Sequence, residues 1–157
     1  MDSFTYRWAT EADLPDMVSL VEEVFMAFEA PGYPPEGIAE FMDYIQPLAW
    51  AQRMQEEGIT LLCLIGGSPA GLIETRRPGH ISLLFVLPAY HRQGIATTLW
   101  QKILAYSLKR NPHIDHFTVN SSPYALPFYE KCGFKPTEDR QQQNGIIYYP
   151  MAFKIKK

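Results

Sequence analysis

Two stretches of the chain carry residue types at spacings that could do chemistry. The first is LFVLPAYHRQGIATTL, Leu84 to Leu99, where an apolar run passes through a turn straight into a helical pattern with Gly94 at the junction. A helix N-terminus presents unpaired N–H groups and the positive end of the dipole. The amides around Gln93, Gly94, Ile95 and Ala96 could therefore cradle a pyrophosphate. Gly94 would let a phosphate approach the main chain, and Ala96 would keep the next turn narrow. The same glycine also suits a plain strand-to-helix turn. The two common glycine-rich phosphate loops are excluded, because neither G-x-x-x-x-G-K-S/T nor G-x-G-x-x-G occurs.

The second stretch is SPYALPFYEKCGF, Ser122 to Phe134, which follows a strand ending at Asn120 and sets Tyr129 just before the helix stop Gly133-Phe134. With this second motif the sequence resembles the GNAT superfamily of N-acetyltransferases. Its acetyl-CoA motif reads Gln/Arg-x-x-Gly-x-Gly/Ala, and its later signature resembles Ala-x-x-Phe-Tyr-Glu-Lys-x-Gly-Phe, here Ala125 to Phe134. The likeness runs from Thr5 to Phe153 in element order and is close in residues from Leu84 to Phe134. One position departs from it: His91 stands where the family usually has Gln or Arg, followed by Arg92 and Gln93. An imidazole can still donate to a phosphate.

The resemblance implies an α/β fold, a single mixed central sheet of about six to seven strands flanked by about four helices, with two central parallel strands that splay. It implies acetyl-CoA as co-substrate and an amine-bearing acceptor that attacks the thioester directly in a ternary complex. The pantetheine arm would lie along the main chain of Phe85 and Val86, as a peptide adds to a sheet edge. The Val86 N–H would act as oxyanion donor. His91, Arg92, Gln93, Gly94, Ile95, Ala96 and Thr97 would hold the pyrophosphate end, with Asn120 and Phe128 across the splay. Asn120 also suits a turn cap before Ser121-Ser122-Pro123. Tyr129 would be the general acid, since a phenol of pKa ~10 can protonate a leaving thiol of ~8.5 at neutral pH. Its alternative is a core aromatic beside Phe128.

A base is also needed. An alkyl ammonium of pKa ~10.4 is about one part in 10³ neutral at pH 7, so waiting on that fraction costs about 4 to 5 kcal/mol of barrier. Glu74, in the strand before the cofactor strand, is placed by element order to face the acceptor directly or through a water. Glu22, Glu23 and His80 are its rivals, and each also suits a solvated surface position. The acceptor pocket is expected within Phe25 to Trp50, where Phe25, Phe28, Tyr33, Phe41, Tyr44 and Trp50 could hold an apolar or cationic amine or simply pack two helices on the sheet. The loop Gln141 to Gly145 is placed to border the same cleft or a dimer contact.

The elements that must position these groups follow from periodicity. Phe4 to Trp8 reads as a strand. Thr10, Asp13 and Pro15 open a helix that runs to Phe28. Ile38, Phe41, Met42 and Ile45 mark a second helix that Pro47 breaks, and a short helix resumes through Trp50 and Met54. ITLLCLI, AGLIETR and ISLLFV read as a three-strand meander, and Ile95 to Leu108 as a helix with a wide apolar stripe. His116 to Asn120 is a strand, Tyr124 to Lys131 a short helix, and Ile146 to Ile155 a last strand.

The 157 residues suit one domain over 1–157, and 46% hydrophobic with 20% charged residues are globular values that argue against a disordered chain. A net charge of -3 removes the electrostatic reason to expect nucleic-acid binding. No apolar run is long enough for a bilayer, and MDSFTYRWATEAD does not resemble a signal peptide, so the chain is read as cytoplasmic. Cys63 and Cys132 lie far apart with no metal or redox spacing, and no metal is expected. The reading is an acetyl-CoA-dependent N-acetyltransferase acting on a primary amine, with a homodimer left open. Its alternative is a non-catalytic acyl-CoA-binding or sensing module.

Overall fold

The computed structural model describes residues 3–156. Proline placement explains where three of the helices begin: Pro15 lies in the first turn of α1 (Leu14–Phe28), and Pro35 and Pro47 open α2 (Pro35–Tyr44) and α3 (Pro47–Gln55). An N1 proline loses nothing, because that N–H has no intrahelical partner. Ahead of α1, Asp13 accepts the Thr10 N–H at 2.8 Å and pairs with Arg7 at 2.8 Å, tying the helix start to β1 (Phe4–Trp8).

The meander follows as β2 (Ile59–Ile65), β3 (Ser68–Arg77) and β4 (His80–Val86). Gly66 and Gly67, at φ 57° and 81°, turn the β2–β3 hairpin through the left-handed conformations that a twisted two-residue connection requires. Then come α4 (Ile95–Arg110), β5 (His116–Ser121), α5 (Leu126–Cys132), β6 (Lys135–Pro136), β7 (Gln141–Gln143) and β8 (Ile146–Lys154). The sheet order is β1-β2-β3-β4-β5-β8-β6, with β7 pairing to β8. The α/β expectation holds, and the extra elements beyond it are short: β6 and β7 have two and three residues, too few for a periodicity signal. The break at Pro47 yields a fifth helix.

Strand alternation divides the core into two layers. Leu62, Leu72, Leu83 and Phe85 face α1 to α3, where Met17, Phe25, Ile45 and Trp50 are wholly buried. Leu61, Cys63, Ile73, Ile81 and Val86 face α4 and α5, against Ile95, Leu99, Ile103 and Tyr129. Full burial of each such large side chain contributes about 1.5 to 3 kcal/mol. The two layers are separated by the sheet everywhere except where the sheet itself opens.

Candidate functional site

That opening lies between β4 and β5. They run parallel, yet only His80 with Thr118 and Ile81 with Val119 are partners, so the strands part after one short ladder. Beyond Ile81, β4 stays paired to β3 on its other side: Leu87 N–H donates to Ala70 O at 2.8 Å, and Gly71 faces Val86 in the register. Main-chain groups alternate sides along a strand, so Leu84 and Val86 turn their N–H and C=O groups into the gap. A cleft of about 390 Å³ occupies it, floored by Ile81, Ser82, Leu84, Phe85, Val119 and Asn120.

At the upper end of β4 the chain turns into α4. Gly94 is the N-cap of α4 at φ 79°, a left-handed conformation that glycine adopts without strain, and Arg92 adopts φ 62° just before it. Open space surrounds the Gly94 Cα, so its backbone angle rather than crowding sets the preference for glycine. The first intrahelical bond belongs to Thr98 N–H, to Gly94 O at 2.9 Å. Ile95, Ala96 and Thr97 therefore start the helix with amides that have no intrahelical acceptor. An anion held there and a chain laid along the open edge of β4 would both meet main-chain groups that have no helix or strand partner, which fits a nucleotide-linked thioester.

His91 is engaged differently from the expectation. Its Nε2 donates to the Val86 carbonyl at 2.7 Å, which leaves only Nδ1 to face a ligand. Phe28 lies between His91 and Tyr124, with ring centroids 5.4 and 5.2 Å away, and so bridges the turns that follow β4 and β5 at the open end of the splay. Gln93 and Thr97 are exposed at the helix start. Across the gap, Asn120 is exposed at the end of β5 and lines the cleft, while Phe128 packs edge-on to Tyr129 at 5.3 Å.

Tyr129 sits on α5, which Gly133 ends in a left-handed cap with Phe134 N–H returning to Tyr129 O at 2.9 Å. Its side chain is buried, yet it lines the cleft. Burial raises its phenol well above the ordinary value, and the charges of Glu29 and Cys132 add to the shift.

Glu74 lies beneath the cleft rather than on its wall. It has no exposed surface, and both oxygens are taken: Oε1 by Tyr44 Oη at 3.0 Å and Ser82 Oγ at 2.6 Å, Oε2 by Arg53 Nε at 2.9 Å. Arg53 also donates Nη1 to Tyr44 O at 2.6 Å and stacks over the Tyr44 ring at 3.6 Å. Tyr44 and Ser82, not Glu74, reach the cleft. Of its rivals, Glu22 and Glu23 are exposed on α1 away from the lining residues. His80 does line the cleft, but burial, then Arg76 and Arg77, push its imidazole down to about 3, leaving a very weak base bonded through Nδ1 to Thr118 Oγ1 at 2.7 Å.

A carboxylate that the motifs do not mark completes the site. Glu29 caps the C-terminus of α1 and lines the cleft together with Tyr33 and Tyr129. Burial raises it to about 7 against a hydrogen bond from Ser122 that lowers it. A signal for it exists in the sequence, since an acid at the negative end of a helix dipole is electrostatically misplaced. Ser122 Oγ also accepts the Ala125 N–H at 3.1 Å, and Tyr33 Oη donates to Ile147 O at 3.1 Å. Of the expected acceptor aromatics, Tyr33, Phe41 and Tyr44 line the cleft, while Phe25 and Trp50 are sealed in the core. Gln143 and Asn144 form the far wall. Their hairpin rests backbone to backbone on α2, where a Cβ at Gly37 would collide with the Gly145 carbonyl. Among the described residues no group of three or more His, Cys, Asp or Glu could hold a metal, and no helix is long and apolar enough to cross a membrane.

Comparison with known proteins agrees with this geometry. An acetyltransferase (GNAT) domain family model matches residues 29–155. An uncharacterized N-acetyltransferase of Methanocaldococcus jannaschii is 27% identical over 147 residues, covering 87% of this chain and 62% of that protein, so the chain spans under two thirds of that relative. The PaiA N-acetyltransferase of Thermoplasma acidophilum, solved in complex with coenzyme A, superposes with a TM-score of 0.81 at 18% identity over 98% of this chain and 99% of that one. A GCN5-related N-acetyltransferase structure from Rhodopseudomonas palustris gives 0.77 at 22% identity, covering 99% and 98% of the two chains.

Proposed function

The chain belongs to the GNAT acetyltransferase family, and from that premise we propose that it transfers an acetyl group from acetyl-CoA to a primary amine by direct attack in a ternary complex. The observation that carries the reading is the splay: the unpaired edge of β4 leads from the bare amides of α4 down to a cleft that also holds Tyr129.

The Ile95, Ala96 and Thr97 amides, with Gly94 allowing close approach, hold the pyrophosphate, and the open main chain of Leu84 to Val86 holds the pantetheine arm. Val86 N–H meets the oxygen that gains charge when the thioester carbon is attacked, which at fixed geometry is worth ~3 kcal/mol of barrier. Tyr129 protonates the departing sulfur. Glu29 and Glu40 in the cleft favour a cationic amine, and the aromatic walls carry its apolar part.

Titration calorimetry with acetyl-CoA and thiol release over an amine panel test the reading together. Micromolar binding with steady thiol release is expected, and Tyr129→Phe should lower kcat by ~10² or more while leaving acetyl-CoA affinity in place. Absence of binding at millimolar acetyl-CoA overturns the reading. Tight binding with no turnover of any amine favours a sensing module.

A further inference from the structure

Acetyl transfer needs a group to take the acceptor's proton, and the motifs assign none of the residues that reach the cleft. We propose that Glu29 and Tyr129 act as a coupled pair: Glu29 takes the ammonium proton, and the loss of its charge readies Tyr129 to protonate the departing sulfur. The inference rests on the acetyl-transfer reading.

The placement comes from the fold. Glu29 ends α1 on one face of the sheet and Tyr129 lies in α5 on the other, and both line the cleft in the gap between β4 and β5. Ser122 links them, because its hydroxyl serves the Glu29 carboxylate while its oxygen accepts the Ala125 N–H that begins α5. The Glu29 charge raises both Tyr33 and Tyr129. An electrostatic interaction is mutual, so a proton arriving on Glu29 must lower Tyr129 in return. Burial holds Tyr129 protonated in the resting enzyme, which makes it a poor donor to a thiolate until the neighbouring charge is removed.

The surrounding groups leave this pair uncompensated. Tyr33 flanks Glu29 from its own turn, Cys132 adjoins Tyr129 on α5, Glu40 and Tyr44 come from α2, and Tyr148 from β8. Arg76 and His80 lie where β4 and β5 are still paired, at the other end of the splay from Ser122.

In the step itself, the ammonium gives one proton to a Glu29 oxygen and the freed nitrogen lone pair bonds to the thioester carbon, whose carbonyl electrons move to oxygen beneath the Val86 N–H. Collapse breaks the carbon–sulfur bond, and sulfur takes the Tyr129 proton. The second proton shed by nitrogen restores the phenol, and Glu29 returns its proton to solvent. The products are the acetamide, the free thiol and one proton.

The test uses the full chain labelled with ¹³C at the glutamate carboxyl and tyrosine ζ carbons, titrated from pH 5 to 9 without ligand. The expected result is a Glu29 carboxyl midpoint near 7 and a Tyr129 signal that inflects at the same midpoint. Glu29→Gln abolishes the inflection and Glu29→Asp keeps it. With acetyl-CoA and n-butylamine as probe, kcat/KM rises through pH 7 in the parent, and Glu29→Gln lowers it ~10²- to 10⁴-fold. A Glu29 that titrates as an ordinary surface carboxylate, a Tyr129 signal indifferent to it, or a rate untouched by Glu29→Gln overturns the pair. Failure of acetyl-CoA to bind instead overturns the acetyl-transfer reading, and calorimetry separates the two results.

Discussion

Ser82 Oγ lies 2.6 Å from Glu74 Oε1 and donates its hydrogen to it. Tyr44 Oη does the same at 3.0 Å. Both hydroxyls line the cleft with their hydrogens already committed below it, so what they present to an acceptor is lone pairs. That wall selects for N–H donors. Ser82→Ala should raise the acceptor KM roughly 3- to 10-fold, the worth of one hydrogen bond, with acetyl-CoA affinity unchanged. Ser82→Thr should restore it, and steady-state kinetics with both substrates varied makes the comparison. An acceptor KM insensitive to Ser82→Ala would remove Ser82 from the wall.

Glu74 is then a structural anion. Its partner Arg53 has only 14% of its side chain exposed, and Glu74 none. Removing the carboxylate strands a buried guanidinium whose Nη2 already lacks a partner. Glu74→Ala should cost about 3 to 5 kcal/mol of stability. Urea denaturation measures this. A variant as stable as the parent but with kcat abolished would return Glu74 to the role of base.

The sequence signals that worked were local ones. Leu84 to Leu99 reads as strand, turn and helix because each preference acts over a few neighbours, and Gly133 announces the end of α5 in the same way. Glu74 could be assigned to the right strand but not to the right side of the cleft floor. Its burial depends on Arg53 from α3 and Tyr44 from α2, which arrive only through tertiary packing, and on a register irregularity between Glu74 and Thr75. Glu29 left only the faint signal of an acid at the negative end of a helix, for a related reason. Its chemistry comes from Ser122 and Tyr129, far away in the chain, and a helix-end carboxylate has no motif. His91 stands at a motif position whose usual residue it replaces, and its Nε2 is taken by the Val86 carbonyl.

This difference between Gly94 and His91 predicts opposite behaviour for two neighbouring substitutions. Gly94 holds φ 79°, and an L side chain there costs about 1 kcal/mol even with open space around it. Gly94→Ala should therefore loosen the turn and weaken acetyl-CoA binding by about tenfold or more, because the cradle is made of main-chain amides whose directions the turn sets. His91→Ala removes a ring that binds the chain itself and should alter affinity less than about threefold. Calorimetry with acetyl-CoA on both variants decides. Loss of binding in His91→Ala with retention in Gly94→Ala would reverse the assignment of the cradle from main chain to side chain.

His80 makes stability pH-dependent in a direction that can be worked out. In the unfolded chain its imidazole takes a proton near 6.5, whereas in the fold burial and the adjoining Arg76 and Arg77 hold it down to about 3. Between those values the unfolded state binds more protons, so stability rises with pH and is lost as pH falls below 6.5. Glu29 acts oppositely, since its value near 7 means that the folded state binds its proton more readily as pH falls. The two partly cancel in the parent, so a difference measurement is required. His80→Asn can keep the hydrogen bond that Nδ1 makes to Thr118 Oγ1 but cannot titrate, and it leaves Glu29 in place. Compared by urea denaturation at pH 7 and pH 4.5, the parent should lose about 2.5 kcal/mol more than His80→Asn over that interval. Equal losses in the two proteins would mean that His80 is protonated in the fold, in which case it could also serve the cleft as a cation.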